Sequence, residues 1–315
     1  MKWSFRREKK EGKKAGIVGI HESAKTIAIA YALLVDSKIT VKTFELHKTE
    51  EFAAKQTALQ QFVLTHGLQG VPCSYVLSPG EYSLNLVDEP TVPKEEIPKA
   101  LRWLLKDMLS FPIEDAIIDT FELPFTRAKD NTKMVYAAAM KKEILPKLVS
   151  FIEPSGLILK YIDIPELVLK NIVNLHPQEM KGCALLYLGP KHGKLILSRN
   201  QQLCIARSFE LKSDELGKDP ARDARILDAL SLEIQRSYDY IGSIFRQNIP
   251  NVIILMPTLT DRNIMQDSFK NSLGAEIYFL NLSELMTFEN PLKDEEEAEG
   301  LLAIGGVLRE WEKPT

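Results

Sequence analysis

Residues 16–46 and 183–211 carry one pattern twice: three short apolar runs of strand composition, broken by polar tips and closing on Phe-Glu-Leu, at positions 165 residues apart. In the first copy the runs cover 17–20, 26–35 and 39–46, and in the second 184–188, 194–197 and 203–211. Helical patterns follow both copies. A unit of three strands and helices therefore occurs twice, which is how an α/β protein of two lobes with a cleft between them is built.

The tip between the first two strands of each copy decides what such a cleft can hold. Glycines there offer backbone N–H donors to a nucleotide phosphate, and an aspartate holds the metal. Here the first tip reads Gly19-Ile20-His21-Glu22-Ser23, with a carboxylate where a phosphate would sit and no aspartate. The second reads Tyr187-Leu188-Gly189-Pro190-Lys191-His192-Gly193, where Pro190 removes a donor and no acid is present for magnesium. These tips predict a binding scaffold with no catalytic, cofactor-binding or metal-binding residue. The competing expectation is an ATPase or sugar-kinase-like enzyme that uses Glu22, Ser23, Lys25, Lys191 or Asp163 near the cleft.

Composition removes other classes. At 315 residues, 45% hydrophobic and 26% charged, the chain can bury a full core as one large or two modest domains. The apolar stretch 27–35 is less than half of the ~20 residues a membrane span needs. The basic opening leads into charged residues, unlike a secretory signal, so a cytoplasmic location is expected. Cys73, Cys183 and Cys204 lie in strand-like runs without Cys-x-x-Cys spacing, as buried hydrophobes of a reducing compartment do. The five histidines show no zinc spacing. His21 and His192 occupy equivalent tips and read as exposed turn residues, with a shared metal site between the lobes as the alternative.

Between the two copies, 50–66 reads as a helix with Phe52, Leu59, Phe62 and Val63 inward, and 73–77 with 82–87 reads as a hairpin around Ser78-Pro79-Gly80-Glu81. A helix from Pro93 to Ser110 and a strand over 113–121 complete an α+β insert at about 72–124. Helices over 133–151 and 165–175 flank a strand over 157–162. After the second copy come a long helix over 219–247 and a buried strand over 251–256. Gly305 and Gly306, inside an apolar terminal helix, predict close backbone packing that returns the chain to the first lobe. The expected organisation is a flexible basic tail 1–14, a first lobe 15–175 completed by a helix over 300–315, and a second lobe 176–299.

Two surfaces stand out. On the helix over 98–110, Leu101, Leu104, Leu105 and Met108 form the inward stripe, and Trp103 lies roughly 200° from Leu101, beside Lys99, Lys106 and Asp107. A lone aromatic on a polar face can anchor a partner peptide, which makes Arg102, Trp103 and Lys106 candidate partner-binding residues. The plain alternative is that another layer covers Trp103. Residues 1–14 carry seven basic and two acidic groups, +5, and leave −8 for the rest of the chain. They read as a solvated tail, or as a contact with anionic lipid through Trp3, Phe5, Arg6, Arg7, Lys9 and Lys10. Nucleic acid is not expected, because the remaining chain is acidic and opposes a phosphate backbone.

Several segments, in order, resemble the PilM-type actin-like proteins of type IV pilus machines, and within them those that serve MSHA pili. They are Leu77-Ser78-Pro79-Gly80-Glu81-Tyr82, Val92-Pro93-Lys94-Glu95-Glu96-Ile97, Ala100-Leu101-Arg102-Trp103 and Phe111-Pro112-Ile113-Glu114-Asp115-Ala116. Ala137-Ala138-Ala139-Met140-Lys141-Lys142-Glu143, Ile162-Asp163-Ile164-Pro165 and the terminal Leu302 to Arg309 continue the match. The resemblance implies a duplicated actin-like, ribonuclease H-like fold with an α+β insert in its first lobe. It also implies a cytoplasmic scaffold or ring under the inner membrane, with homo-oligomers, that grips the cytosolic tail of a PilN-like bitopic protein. ATP-holding members show Asp-Ile-Gly-Ser-Ser where this chain has Gly19 to Ser23. An expected aspartate is Tyr187, and an expected Gly-Gly pair is Met256-Pro257. The resemblance therefore carries no ATP residue across, and ATP is not expected.

Overall fold

In the computed structural model the described residues are 16–93, 95–189, 192–210, 216, 218–248, 251–258 and 262–311. The first repeat folds as β1 (Ile17–Glu22), β2 (Thr26–Val35) and β3 (Lys38–Lys48), an antiparallel meander. Helix α1 (Phe52–Thr65) leads into β4 (Pro72–Val76), which pairs parallel with β1. With β8 (Ile158–Asp163) and the two-residue β14 (Thr287–Phe288) these strands form a sheet of order β14-β3-β2-β1-β4-β8.

The second repeat gives β9 (Cys183–Leu188), β10 (His192–Arg199) and β11 (Gln202–Glu210), joined by β12 (Val252–Leu255) and β13 (Glu276–Phe279) in the order β11-β10-β9-β12-β13. Without the two-residue β14, the first sheet has the same strand order as the second. Even the second hairpin turns match: Asp36-Ser37 and Asn200-Gln201 are both two-residue turns with positive φ, the geometry whose twist suits a tight hairpin.

The insert has its own antiparallel sheet, β5 (Tyr82–Asp88), β7 (Lys133–Lys141) and β6 (Ala116–Thr126), in the order β5-β7-β6. Helix α2 (Ile97–Leu105) packs on one face, where Leu101 and Leu105 meet Val87, Ile113, Ala116, Val135 and Ala137. Met134, Tyr136, Ala138 and Met140 turn the other way, into the main core. This corrects two expectations. Residues 73–77 and 82–87 do not pair as a hairpin: β4 enters the first sheet and β5 the insert sheet. Residues 133–141 are the insert's central strand and not the start of a helix, which is confined to α3 (Ile144–Ile152). Three alanines favour a helix in isolation, but burial on both faces of a thin layer needs small side chains in extended backbone, and tertiary packing wins. The insert sheet therefore runs to Lys141, past the expected boundary near 124.

Helix α4 (Pro165–Val173) is buried at every position. Helix α5 (Pro220–Phe245), capped by the Asp219 carboxylate, and α6 (Arg262–Leu273) cover the second sheet. The sequence reading assigned nothing to α6, β13, α7 (Leu282–Leu285) or β14. The chain rejoins the first sheet at β14, before the expected return at residue 300. Helix α8 (Asp294–Gly306) then lies across β1 and β2, its acidic first turn set against the helix dipole. A Cβ at Gly305 would lie 2.5 Å from Val168 Cγ1, and one at Gly19 2.0 Å from the Ala303 carbonyl oxygen, so both close approaches of α8 require glycine. No helix among the described residues is long and apolar enough to cross a membrane.

Candidate functional site

The upper ends of β1, β4 and β8 bring His21, Val76 and Asp163 into one row, and the β1–β2 tip stands above it. His21 is buried, against the expectation of an exposed turn. Its Nδ1 donates to the Val76 carbonyl at 3.1 Å, and burial pushes its pKa down to about 4. Among the described residues no group of three His, Cys, Asp or Glu side chains could hold a metal ion.

The tip satisfies itself. Ser23 Oγ accepts from the backbone N–H groups of Lys25, at 3.2 Å, and Thr26, at 3.0 Å. Those are donors that a phosphate-binding turn would aim at its ligand. Glu22 accepts from Tyr75 Oη at 2.9 Å, lies 3.8 Å from Lys55 Nζ, and is raised in pKa chiefly by burial. Lys55, a buried lysine on the inner face of α1, donates to the Ser23 carbonyl at 2.6 Å, and Ser78 Oγ donates to the Glu22 carbonyl. A carboxylate and a row of occupied donors line this tip.

At the second tip Gly189 N–H donates to the His192 carbonyl at 3.1 Å, and His192 is exposed. Pro190 and Lys191 lie outside the described residues. Asp163 is buried, 3.7 Å from Arg309 Nε and accepting from Ile164 N–H at 2.9 Å. Tyr187, in the place of the expected aspartate, is pushed up to about 12 by burial.

Between the tips, Lys194 on β10 reaches Glu166 in the first turn of α4 at 2.6 Å, Ser208 on β11 at 3.0 Å and Tyr82 on β5 at 3.2 Å, while Tyr82 Oη donates to Glu166 at 2.7 Å. This network ties first lobe, insert and second lobe together. Ala206 N–H donating to Tyr136 Oη at 2.8 Å and Ala128 N–H donating to the Ile244 carbonyl at 2.8 Å extend the seam. The sequence reading missed Lys55, Glu166 and Lys194. The available signal was a charge set inside an otherwise apolar run.

The α2 residues are placed differently. Trp103 is 69% exposed, with Lys106 Nζ 5.8 Å from its ring centroid. Leu104 and Met108, expected inward, are half exposed beside it, because a single row, Leu101 and Leu105, suffices to cover the alanine-rich insert sheet. Arg102 turns inward: it donates to the carbonyls of Ile113 at 2.7 Å and Ala116 at 3.0 Å, so it stitches the insert together. Trp3, Phe5, Arg6, Arg7, Lys9 and Lys10 lie outside the described residues. Cys73, Cys183 and Cys204 are buried and unbridged, as expected.

No family model matches this chain, and no curated protein matches it significantly. Solved structures do. A chain of the PilM-PilN type IV pilus biogenesis complex superposes at TM-score 0.71 with 19% identity, over 94% of this chain and 99% of that one. A Bacteroides thetaiotaomicron protein with an actin-like ATPase fold and unknown function follows at TM-score 0.52, 11% identity, 92% and 96% coverage. The cytoplasmic domain of EpsL, an inner-membrane component of the type II secretion system of Vibrio cholerae, gives TM-score 0.51, 11% identity, 93% and 95% coverage. The doubled sheets and the buried connecting helices give this chain a two-lobed actin-like fold, the fold it shares with that pilus-complex chain.

Proposed function

We propose that the protein is a non-catalytic scaffold of a type IV pilus assembly platform, held at the cytoplasmic side of the inner membrane by the cytosolic tail of a PilN-like single-span protein. Within pilus systems the resemblance to MshI, a PilM-type protein of MSHA pilus biogenesis, favours the MSHA type, and homo-oligomers are expected from the same resemblance. The observation that carries the reading is the self-satisfied first tip: Ser23 occupies the Lys25 and Thr26 N–H groups, and the Glu22 carboxylate stands where a polyphosphate would bring its negative charge. The residues present do not fit a nucleotide. Likeness over nearly the whole length of a pilus-complex chain supports the pilus setting. The exposed Trp103, Leu104 and Met108 face offers an apolar anchor for the partner tail.

Co-purification from cell membranes, with the captured proteins identified, tests the assignment. A single-span protein with a short cytosolic tail that binds the purified chain directly, as a synthetic tail peptide, supports it. Hydrolysis of Mg-ATP by the purified chain would replace it with the enzymatic alternative.

A further inference from the structure

The outer edge of β3 is only partly used. Glu289 N–H donates to the Val41 carbonyl at 3.0 Å where β14 ends, and among the described residues no strand pairs with β3 beyond that point. At the far end Thr49 N–H donates to the Lys25 carbonyl at 2.8 Å, which fixes the alternation: Thr43, Glu45 and His47 turn their backbone groups to β2, and Phe44, Leu46 and Lys48 turn theirs outward. The lysines that would guard such an edge are held in ion pairs, Lys42 with Glu289 at 2.8 Å and Lys48 with Glu295 at 2.5 Å. Alongside it, Ala54, Thr57, Ala58 and Gln61 of α1 border an open groove of about 610 Å³ together with His47. The small side chains of that helix leave room for one more strand beside β3.

The free length itself says which strand fits. Thr43-Phe44-Glu45-Leu46-His47-Lys48-Thr49 is self-complementary about Leu46. Thr43, Glu45 and His47 lie on the α1 face, where Thr43 and Glu45 meet His66 at 3.3 and 3.4 Å, and Phe44 and Lys48 lie on the α8 face, against Gly300 and Glu295. A second copy laid antiparallel about Leu46 therefore sets Glu45 opposite His47 and Thr43 opposite Thr49, each twice, with Phe44 against the Lys48 stem. Carboxylate–imidazole and Thr–Thr cross-strand pairs are both favourable. A slip of two residues in either direction sets Glu45 opposite Glu45 or His47 opposite His47, so charge selects one register.

We propose that two copies of the chain join through their β3 edges as an isologous dimer, in which the two first sheets continue as one across a two-fold axis at Leu46 and the Glu45 and His47 side chains of each copy reach into the groove beside α1 of the other. Backbone groups of Phe44, Leu46 and Lys48 then gain the partners that β14 supplies to Val41 further along the same edge. The inference gives the homo-oligomers expected above an interface and does not depend on the pilus setting. A chain that stays monomeric removes this dimer and leaves the proposed capture of a membrane partner standing.

Sedimentation equilibrium of the full chain over a range of concentrations tests it and should show a monomer–dimer equilibrium. His47→Glu, which sets two carboxylates against each other at both symmetric positions, should raise the dimer dissociation constant at least about tenfold, and the charge-reversed E45K/H47E should restore it. Positions 43 and 49 are about 20 Å apart within one strand, too far to bridge, but face each other across the axis as a non-hydrogen-bonded pair about 4.5 Å apart. Oxidised glutathione should therefore convert T43C/T49C to a covalent dimer that neither T43C nor T49C forms alone, since Cys73, Cys183 and Cys204 are buried. All variants should keep the parent's unfolding midpoint, because both faces of this edge are half-exposed. A chain monomeric at every concentration overturns the proposal and leaves the edge to a foreign strand. A dimer that His47→Glu does not weaken, or that T43C/T49C does not cross-link, overturns it as well.

Discussion

Lys194 Nζ lies 2.6 Å from Glu166 Oε1 across the two lobes, with the side chains only 5% and 3% exposed. Removing one partner of such a pair strands a charge out of water, whereas removing both does not. Glu166→Gln or Lys194→Met should therefore lower the unfolding free energy by about 3–5 kcal/mol, and the double replacement by less than either single one. Urea unfolding of the four proteins closes the cycle. Additive losses would mean that Tyr82 and Ser208 satisfy each group separately.

The crossing of α4 and α8 offers a second test. A methyl group at Gly305 would fall 2.5 Å from Val168 Cγ1 and 2.6 Å from Ile172 Cδ1, both in a helix buried on all sides. Gly305→Ala should cost about 1–3 kcal/mol, and Val168→Ala in the same chain should recover part of that loss by making room. Denaturant midpoints measure both.

What was legible in the chain follows from these particulars. The doubled meander was visible because each strand buries one register of apolar residues around a short polar tip, and period two survives in sequence. Gly305 and Gly306 were legible as close packing, since nothing else explains paired glycines in an apolar helix. The alanines of β7 misled because intrinsic propensity favours a helix, and only the two layers that sandwich the strand decide against it. Leu104 and Met108 misled for a related reason, as helical spacing says which side chains share a face but not how wide a surface awaits them. The Lys194–Glu166 pair joins residues 28 positions apart through a lobe closure that no local pattern encodes.

Acid should weaken the first tip. Burial holds His21 near a pKa of about 4, below the 6.5 of a free side chain, so between those values the unfolded chain binds a proton that the folded chain does not. Stability from this group is complete above pH 6.5 and falls as pH drops toward 4, by up to about 3 kcal/mol. Glu22 and Glu81, raised by burial, act in the opposite sense, because the folded chain holds their protons more tightly than the unfolded one. His21→Asn keeps a donor for the Val76 carbonyl and removes the titration. Its stability should fall less steeply than the parent's between pH 6.5 and 4; equal slopes would place the acid sensitivity elsewhere.

Nucleotide should not stabilise the protein. A ligand at one hundred times its Kd adds about 2.7 kcal/mol, a shift of several degrees in the unfolding midpoint. Mg-ATP is expected to leave the midpoint unchanged. Ser23→Ala frees the Lys25 and Thr26 N–H groups at a cost of about 1 kcal/mol, yet should remain unresponsive, since the Glu22 carboxylate still opposes a phosphate. A response in Ser23→Ala alone would show that the hydroxyl, and not the carboxylate, closes the site.

The α2 face separates binding from folding. Trp103 is 69% exposed and its neighbours Leu104 and Met108 are exposed with it, so Trp103→Ala should change the unfolding free energy by no more than about 0.5 kcal/mol. If the face anchors the tail of a membrane partner, the same substitution should weaken capture of a tail peptide at least about tenfold, the usual weight of a buried indole at an interface. Arg102→Ala should behave in the reverse way. It removes the guanidinium bonds to the carbonyls of Ile113 and Ala116, the first of which also accepts from the Ala116 N–H, and should destabilise the insert by about 1–3 kcal/mol, with little direct effect on the peptide. Titration of the labelled peptide against parent, Trp103→Ala and Arg102→Ala, with unfolding curves for all three, distinguishes an anchor from a brace. Equal peptide affinity for parent and Trp103→Ala would move the binding surface off α2.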